Sequence, residues 1–223
     1  MKKLILTTAV FVTAVFSVFG QKTSGQVSYD VFVSTDDPQT QSYISNMEGS
    51  ILELFFQEGK IKSELFMGEF MTTTTISHKD KDTALVLLDG MMGQIAMKST
   101  ENDMSDEEKL AMSKRDVELV DETKEVLGYQ CKKAIVTGAD DKEAVIWYTT
   151  EIVPSYRGGQ YMYEDIPGVP LEINSSWGKM DLKMVAFEFK KKIKKPEKIF
   201  SMEIPSGFVL KTAEDMKNMR RGR

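Results

Sequence analysis

The alternation of apolar and polar residues on either side of Glu58-Gly59 restricts this chain more than any other feature. Leu52, Leu54 and Phe56 recur at every second position before that dipeptide, and Ile61, Leu65 and Met67 share one parity after it. Glu53, Gln57, Lys62 and Glu64 take the opposite parity. A period of two belongs to a strand with one face buried, and glycine supplies the positive φ that a tight turn needs. The spacing therefore predicts an antiparallel hairpin over residues 51–57 and 60–67.

The same reading extends along the chain. Val27, Tyr29, Val31 and Val33 alternate with Ser28, Asp30 and Phe32 and mark a first strand with one apolar face. Asp37 before Pro38 reads as a cap with proline at the first helical position, predicting a short helix to about Met47 that stops near Gly49. Further strands are expected over 70–77, 83–88 and 94–98, with a turn at Asp89-Gly90. Residues 99–125 are heavily charged, and Ser105 with Glu108 forms a capping box, which predicts a mobile insert with a short helix around Leu110 and Met112. Strands resume over 130–137 and 143–149 about a turn at 138–141.

Residues 150–168 hold Pro154, Gly158, Gly159, Pro167 and Gly168 among Tyr156, Tyr161 and Tyr163, the composition of an ordered loop. Strands over 169–175 and 180–190 flank Gly178, with a bulge expected near Met184 and Val185. Phe200, Ile204, Phe208 and Leu210 are expected to close the sheet before a helix capped by Thr212 and running to Met219. The fold class is mainly β (α+β), an antiparallel meander with a few short helices.

Lys2 and Lys3 precede an apolar run over 4–19 that ends at Gly20. A basic end, an apolar segment and a small residue before polar sequence are the parts of a secretory signal. The run falls short of the roughly 20 residues that span a bilayer. Cleavage is expected after Gly20, with Ala14 and Ser17 as alternatives, leaving 21–223 as one domain in the periplasm. No cysteine follows the cut, so an acylated N-terminus is not expected, and no later stretch is apolar enough to span a membrane.

Without Lys2 and Lys3 the 29 basic residues become 27 against 34 acidic ones, a formal charge of −7 that disfavours nucleic acid. Basic residues cluster only at Lys190 to Lys195 and at the tail, Lys217 to Arg223. Cys131 is the sole cysteine, so packing without an intrachain disulfide must hold the fold.

Two stretches carry a family resemblance. Val126-Leu127-Gly128-Tyr129-Gln130-Cys131-Lys132-Lys133-Ala134, followed by Ile146-Trp147-Tyr148-Thr149, is one; Ile166-Pro167-Gly168-Val169-Pro170-Leu171-Glu172-Ile173 is the other. Their order and spacing, mainly over 120–210, resemble the DUF4412 family of exported bacterial proteins, related to LolA-like and LolB-like lipoprotein carriers, and also the GLPGLI group, from which Val169-Pro170 departs. The resemblance implies a LolA-like incomplete β-barrel, a strongly curved antiparallel sheet whose concave face is covered by helices and loops. Such a hollow takes up acyl chains or other apolar molecules.

On that reading the wall is expected to comprise Leu52, Leu54, Phe56, Leu65 and Met67 from the first hairpin, and Ile135, Trp147, Met184 and Phe187 from the second half, with 105–115 as a lid. The expected partner is a lipid, a lipoprotein or another apolar molecule. The alternative is an envelope interaction protein whose hollow is filled by its own side chains.

Other chemistries find less in the sequence. A thiolate nucleophile at Cys131 needs a base, and His78 is the one histidine. The acidic pairs Asp36-Asp37, Asp106-Glu107-Glu108 and Asp140-Asp141 lack calcium-loop spacing. The 15 methionines suit core filling, an adaptable apolar pocket or a copper(I) site, although they are dispersed. No catalytic residue, metal or cofactor is expected.

Overall fold

The computed structural model describes residues 20–218 except 69, 92, 105–108, 110–114, 159–164, 213 and 217. The secretory pattern of residues 1–19 and nearly all of the expected lid lie outside the described residues. Among those described, twelve strands form one open, curved sheet. The first meander runs β2 (Ser50–Gln57), β3 (Lys60–Met67), β4 (Met71–His78), β5 (Ala84–Gly90) and β6 (Gly93–Ser99). The second runs β7 (Asp116–Val126), β8 (Tyr129–Thr137), β9 (Glu143–Thr149), β10 (Val169–Trp177) and β11 (Met180–Lys190). The first strand, β1 (Gly25–Ser34), joins them by pairing with β2 on one side and β11 on the other. All these pairs are antiparallel; β12 (Val209–Leu210) adds two residues in parallel to β6. The sheet does not close, because β7 stands at one edge and β12 at the other.

Turn chemistry explains the hairpins. Glu58 and Gly59 both have positive φ, 44° and 75°, and Leu127 and Gly128 repeat the pair at 52° and 75°. That geometry matches the twist of the flanking strands. Helix α1 (Pro38–Ile44) begins at the expected proline and continues as a 3-10 turn, Ser45–Met47. A second short helix, α2 (Pro196–Ile199), follows β11.

Four local expectations are corrected. Residues 116–126, read as part of a charged insert, form the long edge strand β7. An edge strand needs no apolar face, so its charges hide it from a periodicity argument. The β5–β6 turn does not fall at Asp89-Gly90: both belong to β5, Gly90 pairs with Gly93, and the chain turns from Met91. Gly90 also pairs with Met71 of β4, and the backbone at Phe70 passes so close that a Cβ on Gly90 would lie 2.8 Å from the Phe70 carbonyl oxygen. The β1–β11 bulge leaves out Phe187, between the pairs Tyr29 with Ala186 and Ser28 with Glu188, and not Met184 or Val185. Of the residues expected to close the sheet, Leu210 alone lies in a strand, while Ile204 and Phe208 pack onto a sheet face.

Thr212 caps as expected. Its backbone N–H donates to Asp215 Oδ2 at 2.8 Å, and Asp215 N–H donates back to Thr212 Oγ1 at 3.1 Å. The helix beyond Asp215 falls partly outside the described residues.

The main core gathers Val27 and Tyr29 of β1, Leu54 and Phe56 of β2, Ile61 of β3, and Cys131, Ile152, Val169, Leu171 and Ala186. A second cluster joins Ala134, Val136, Ile146, Tyr148 and Ile173 under Ile166, and a third joins Ile76, Leu85, Leu87 and Ala96. Among the described residues no helix is long and apolar enough to cross a membrane.

Candidate functional site

Cross-strand register decides which side chains share a face. Tyr29 pairs with Leu52, Leu52 with Leu65, Leu65 with Thr73, Thr73 with Leu88 and Leu88 with Ile95. One almost wholly apolar row thus runs across β1–β6. The next row on that face passes through Leu54, Ser63, Thr75, Val86 and Met97, and Met67 pairs with Met71 on the other side. Met184 joins the same face through its pairing with Val31.

The nine expected wall residues therefore separate. Leu52, Leu54, Phe56, Leu65, Met67 and Met184 share one face. Within β8–β11, Met184 aligns with Ile173, Ile146 and Ala134, whereas Trp147 aligns with Glu172 and Lys133, and Ile135 with Val145. By register Ile135 and Trp147 fall out of line with Met184, yet Trp147 still packs against the main core cluster that Met184 also touches. Phe187 sits at the bulge and is 45% exposed.

The shared face is itself divided. Leu54 and Phe56 are 5% and 1% exposed and pack with Ile152 and Tyr156 of the 150–158 segment. That segment is tied down: Ser155 Oγ accepts from Gly59 N–H at 3.2 Å, and the Arg157 guanidinium donates to the Ile166 carbonyl. Gly158 comes so close to Ile61 that a Cβ would stand 3.2 Å from Ile61 Cγ2. Further along, Leu65, Met67, Met71, Leu88 and Met97 are only half-buried. Met71, Leu88 and Met97 are the half-buried residues of this face that the sequence reading left out of the wall, and Leu88 shows why. Its signal was present in the alternation of 83–88, but its partner Ile95 follows only once the β5–β6 turn is placed correctly.

The ring of Trp147 is covered by cations, with Lys124 Nζ 4.6 Å and Lys133 Nζ 5.9 Å from its centroid. Lys124 also donates to Glu172 Oε2 at 2.6 Å, and Asn174 donates to Glu172 Oε1 at 3.1 Å. Burial pushes the Glu172 carboxyl up, but the hydrogen bonds from Lys124 and Asn174 and the nearby lysine charges outweigh it and hold the group below the usual carboxylate range.

Cys131 is fully buried, and that burial pushes its thiol up to about 11. His78 lies on β4, where its Nε2–H donates to the Phe200 carbonyl at 2.8 Å. Six strands separate β4 from β8 in the sheet order. A neutral buried thiol is a packing element and a poor nucleophile. Among the described residues no group of three or more His, Cys, Asp or Glu is placed to hold a metal ion.

Comparison with known proteins adds the fold's relatives. The family described as N-glycanase peptide, N-terminal domain, matches residues 63–160. This differs from the DUF4412 family, which residues 120–210 resemble. A solved structure of PNGF-II aligns over 88% of this chain and 32% of its own, at 14% identity and a TM-score of 0.53. A second crystal form aligns over 88% and 33%, at 14% identity and 0.51. The chain thus spans about a third of the PNGF-II chain it matches. A LolA superfamily protein, NE2245 from Nitrosomonas europaea, aligns over 81% of this chain and 90% of its own, at 11% identity and a TM-score of 0.25. No curated protein sequence matches. At these identities the likeness to PNGF-II concerns the fold.

Proposed function

We propose that the chain is an exported, non-enzymatic binding module of the periplasm that holds an acyl chain or a similarly apolar ligand against the face of β3–β6. One observation carries this reading: Leu65, Met67, Met71, Leu88 and Met97 share a face, are only half-buried, and lie beyond the segment that seals Leu54 and Phe56. Burial of apolar surface at about 25 cal/mol per Å2 supplies affinity without directed bonds, and the flexible thioethers suit ligands of varied shape. The DUF4412 resemblance and its LolA-like connection accord with a carrier of lipid or lipoprotein. The basic and apolar N-terminus accords with export.

A second reading has its own observation. Leu54 and Phe56 are already sealed by the protein's own loop, as expected of an envelope interaction domain with a self-filled core. Titration with cis-parinaric acid separates the two. Saturable fluorescence enhancement that is lost in Met67→Glu and Leu88→Glu, but kept in Leu119→Glu on the exposed edge strand, is the expected result. No enhancement with the unmodified protein would favour the filled core.

A further inference from the structure

The opposite face of the same strands carries different chemistry. The chain after α2 is anchored there: Met202, Ile204 and Phe208 pack onto Ile76, Leu85, Leu87 and Ala96, and His78 holds the Phe200 carbonyl. Between this segment and β3–β5 lies a cleft of about 570 Å3, a volume ordinary for small-molecule sites. Its sheet side presents Lys62, Glu64, Thr72, Thr74 and Asp89, and its other wall presents Lys198, Ser201, Glu203 and Ser206.

Four of these groups, Lys62, Glu64, Thr74 and Asp89, are held by partners within the chain. Lys62 Nζ lies 2.7 Å from Glu64 Oε2, with the two side chains only 13% and 23% exposed. Thr74, 6% exposed, directs its hydroxyl to Glu64 Oε1 at 3.4 Å, a long bond that leaves much of its capacity unused. Asp89 Oδ2 accepts from Gln94 at 3.1 Å, which leaves Oδ1 to another donor. Apolar surface comes mainly from Ile199, Ile204 and Phe208, with the buried Ile76 and Leu87 at its floor.

The charges select the ligand class. Once Lys62 and Glu64 neutralise each other, Lys198 stands against Asp89 and Glu203, so an anionic ligand gains nothing from the site. A purely apolar ligand would strip water from hydroxyls and carboxylates without replacing its hydrogen bonds. A molecule with many neutral hydroxyls meets both demands: its O–H groups donate to the carboxylates and accept from the lysines and threonines, and its C–H face lies on the apolar side chains. We propose that this cleft is a carbohydrate site for a short neutral oligosaccharide, separate from the apolar face and independent of its occupancy.

Backbone amide NMR of the intact protein, titrated with mannotriose, cellotriose or triacetylchitotriose, tests this. At least one sugar is expected to shift amides of β3–β5 and residues 196–208 in a saturable way. Asp89→Asn on the exposed rim and the nearly isosteric Thr74→Val should each weaken that sugar about tenfold while leaving the amide spectrum elsewhere unchanged. Absence of shifts with all three sugars at high millimolar concentration would overturn the proposal. So would shifts insensitive to both substitutions, or inorganic phosphate perturbing these amides more strongly than any sugar.

Discussion

Glu64 and Leu65 are neighbours in the chain and stand on opposite faces of β3, and across β2–β5 the contrast is systematic. The row Leu52, Leu65, Thr73 and Leu88 is apolar but for one threonine, while the adjoining row Glu53, Glu64, Thr74 and Leu87 is polar but for one leucine. What differs beyond the side chains is the cover. Among the described residues, the cover on the apolar side is the 150–158 segment, which packs on Leu54 and Phe56. The polar row lies beneath the anchored 196–208 segment. Because side chains alternate with a period of two, a slip of one residue would exchange these faces entirely. The strand ends are therefore set by tight turns and close backbone approaches.

The sealed and unsealed parts of the apolar face can be separated by stability. Phe56→Ala, at a site 1% exposed, should cost about 3–5 kcal/mol in urea denaturation. Met67→Ala, on the half-buried part, should cost under about 2 kcal/mol. Equal losses would mean that both parts are one closed core. Gly168→Ala attacks the cover at its root, since a Cβ there would stand 1.9 Å from the Thr149 carbonyl oxygen. A loss of about 1–3 kcal/mol is expected, together with altered protection of the amides over 150–158; an unchanged melting temperature would contradict the close approach.

A smaller effect is set by pH. The folded Glu172 carboxyl is held below its ordinary range, so its contribution is present above the unfolded value, near 4.3, and fades as pH falls through the folded one. Glu172→Gln should therefore flatten the loss of stability between about pH 5 and pH 3 by roughly 1 kcal/mol or less. An identical pH profile would remove Glu172 from that account. The smallest effect concerns Cys131. Its buried thiol, pushed up to about 11, should resist iodoacetamide at neutral pH until urea unfolds the chain; equal labelling rates in both states would show an accessible thiol.

Much of the fold was legible where a turn and an alternation agree. Glu58-Gly59, the 138–141 turn and Gly178 delimit hairpins close to where the strands stand. The edge strand β7 was not legible, because Asp116, Glu118, Glu122 and Glu125 occupy positions that face solvent and need no apolar period. Face assignments within the first hairpin followed from parity alone. Those of Ile135 and Trp147 did not, since they depend on how β9 pairs with β10 and β10 with β11. The polar cleft was out of reach for the same reason: Phe200, Ile204, Phe208 and Leu210 were expected to meet the sheet, but nothing in the chain says which strands they meet.

The apolar face is the central claim, and native mass spectrometry of the protein purified without detergent addresses it most directly. The account predicts an added mass of acyl-lipid size, removed by solvent extraction and absent from Met67→Glu. A bare polypeptide mass, with no uptake of fatty acid by the purified protein, would contradict it and leave a sheet whose own side chains fill its hollow.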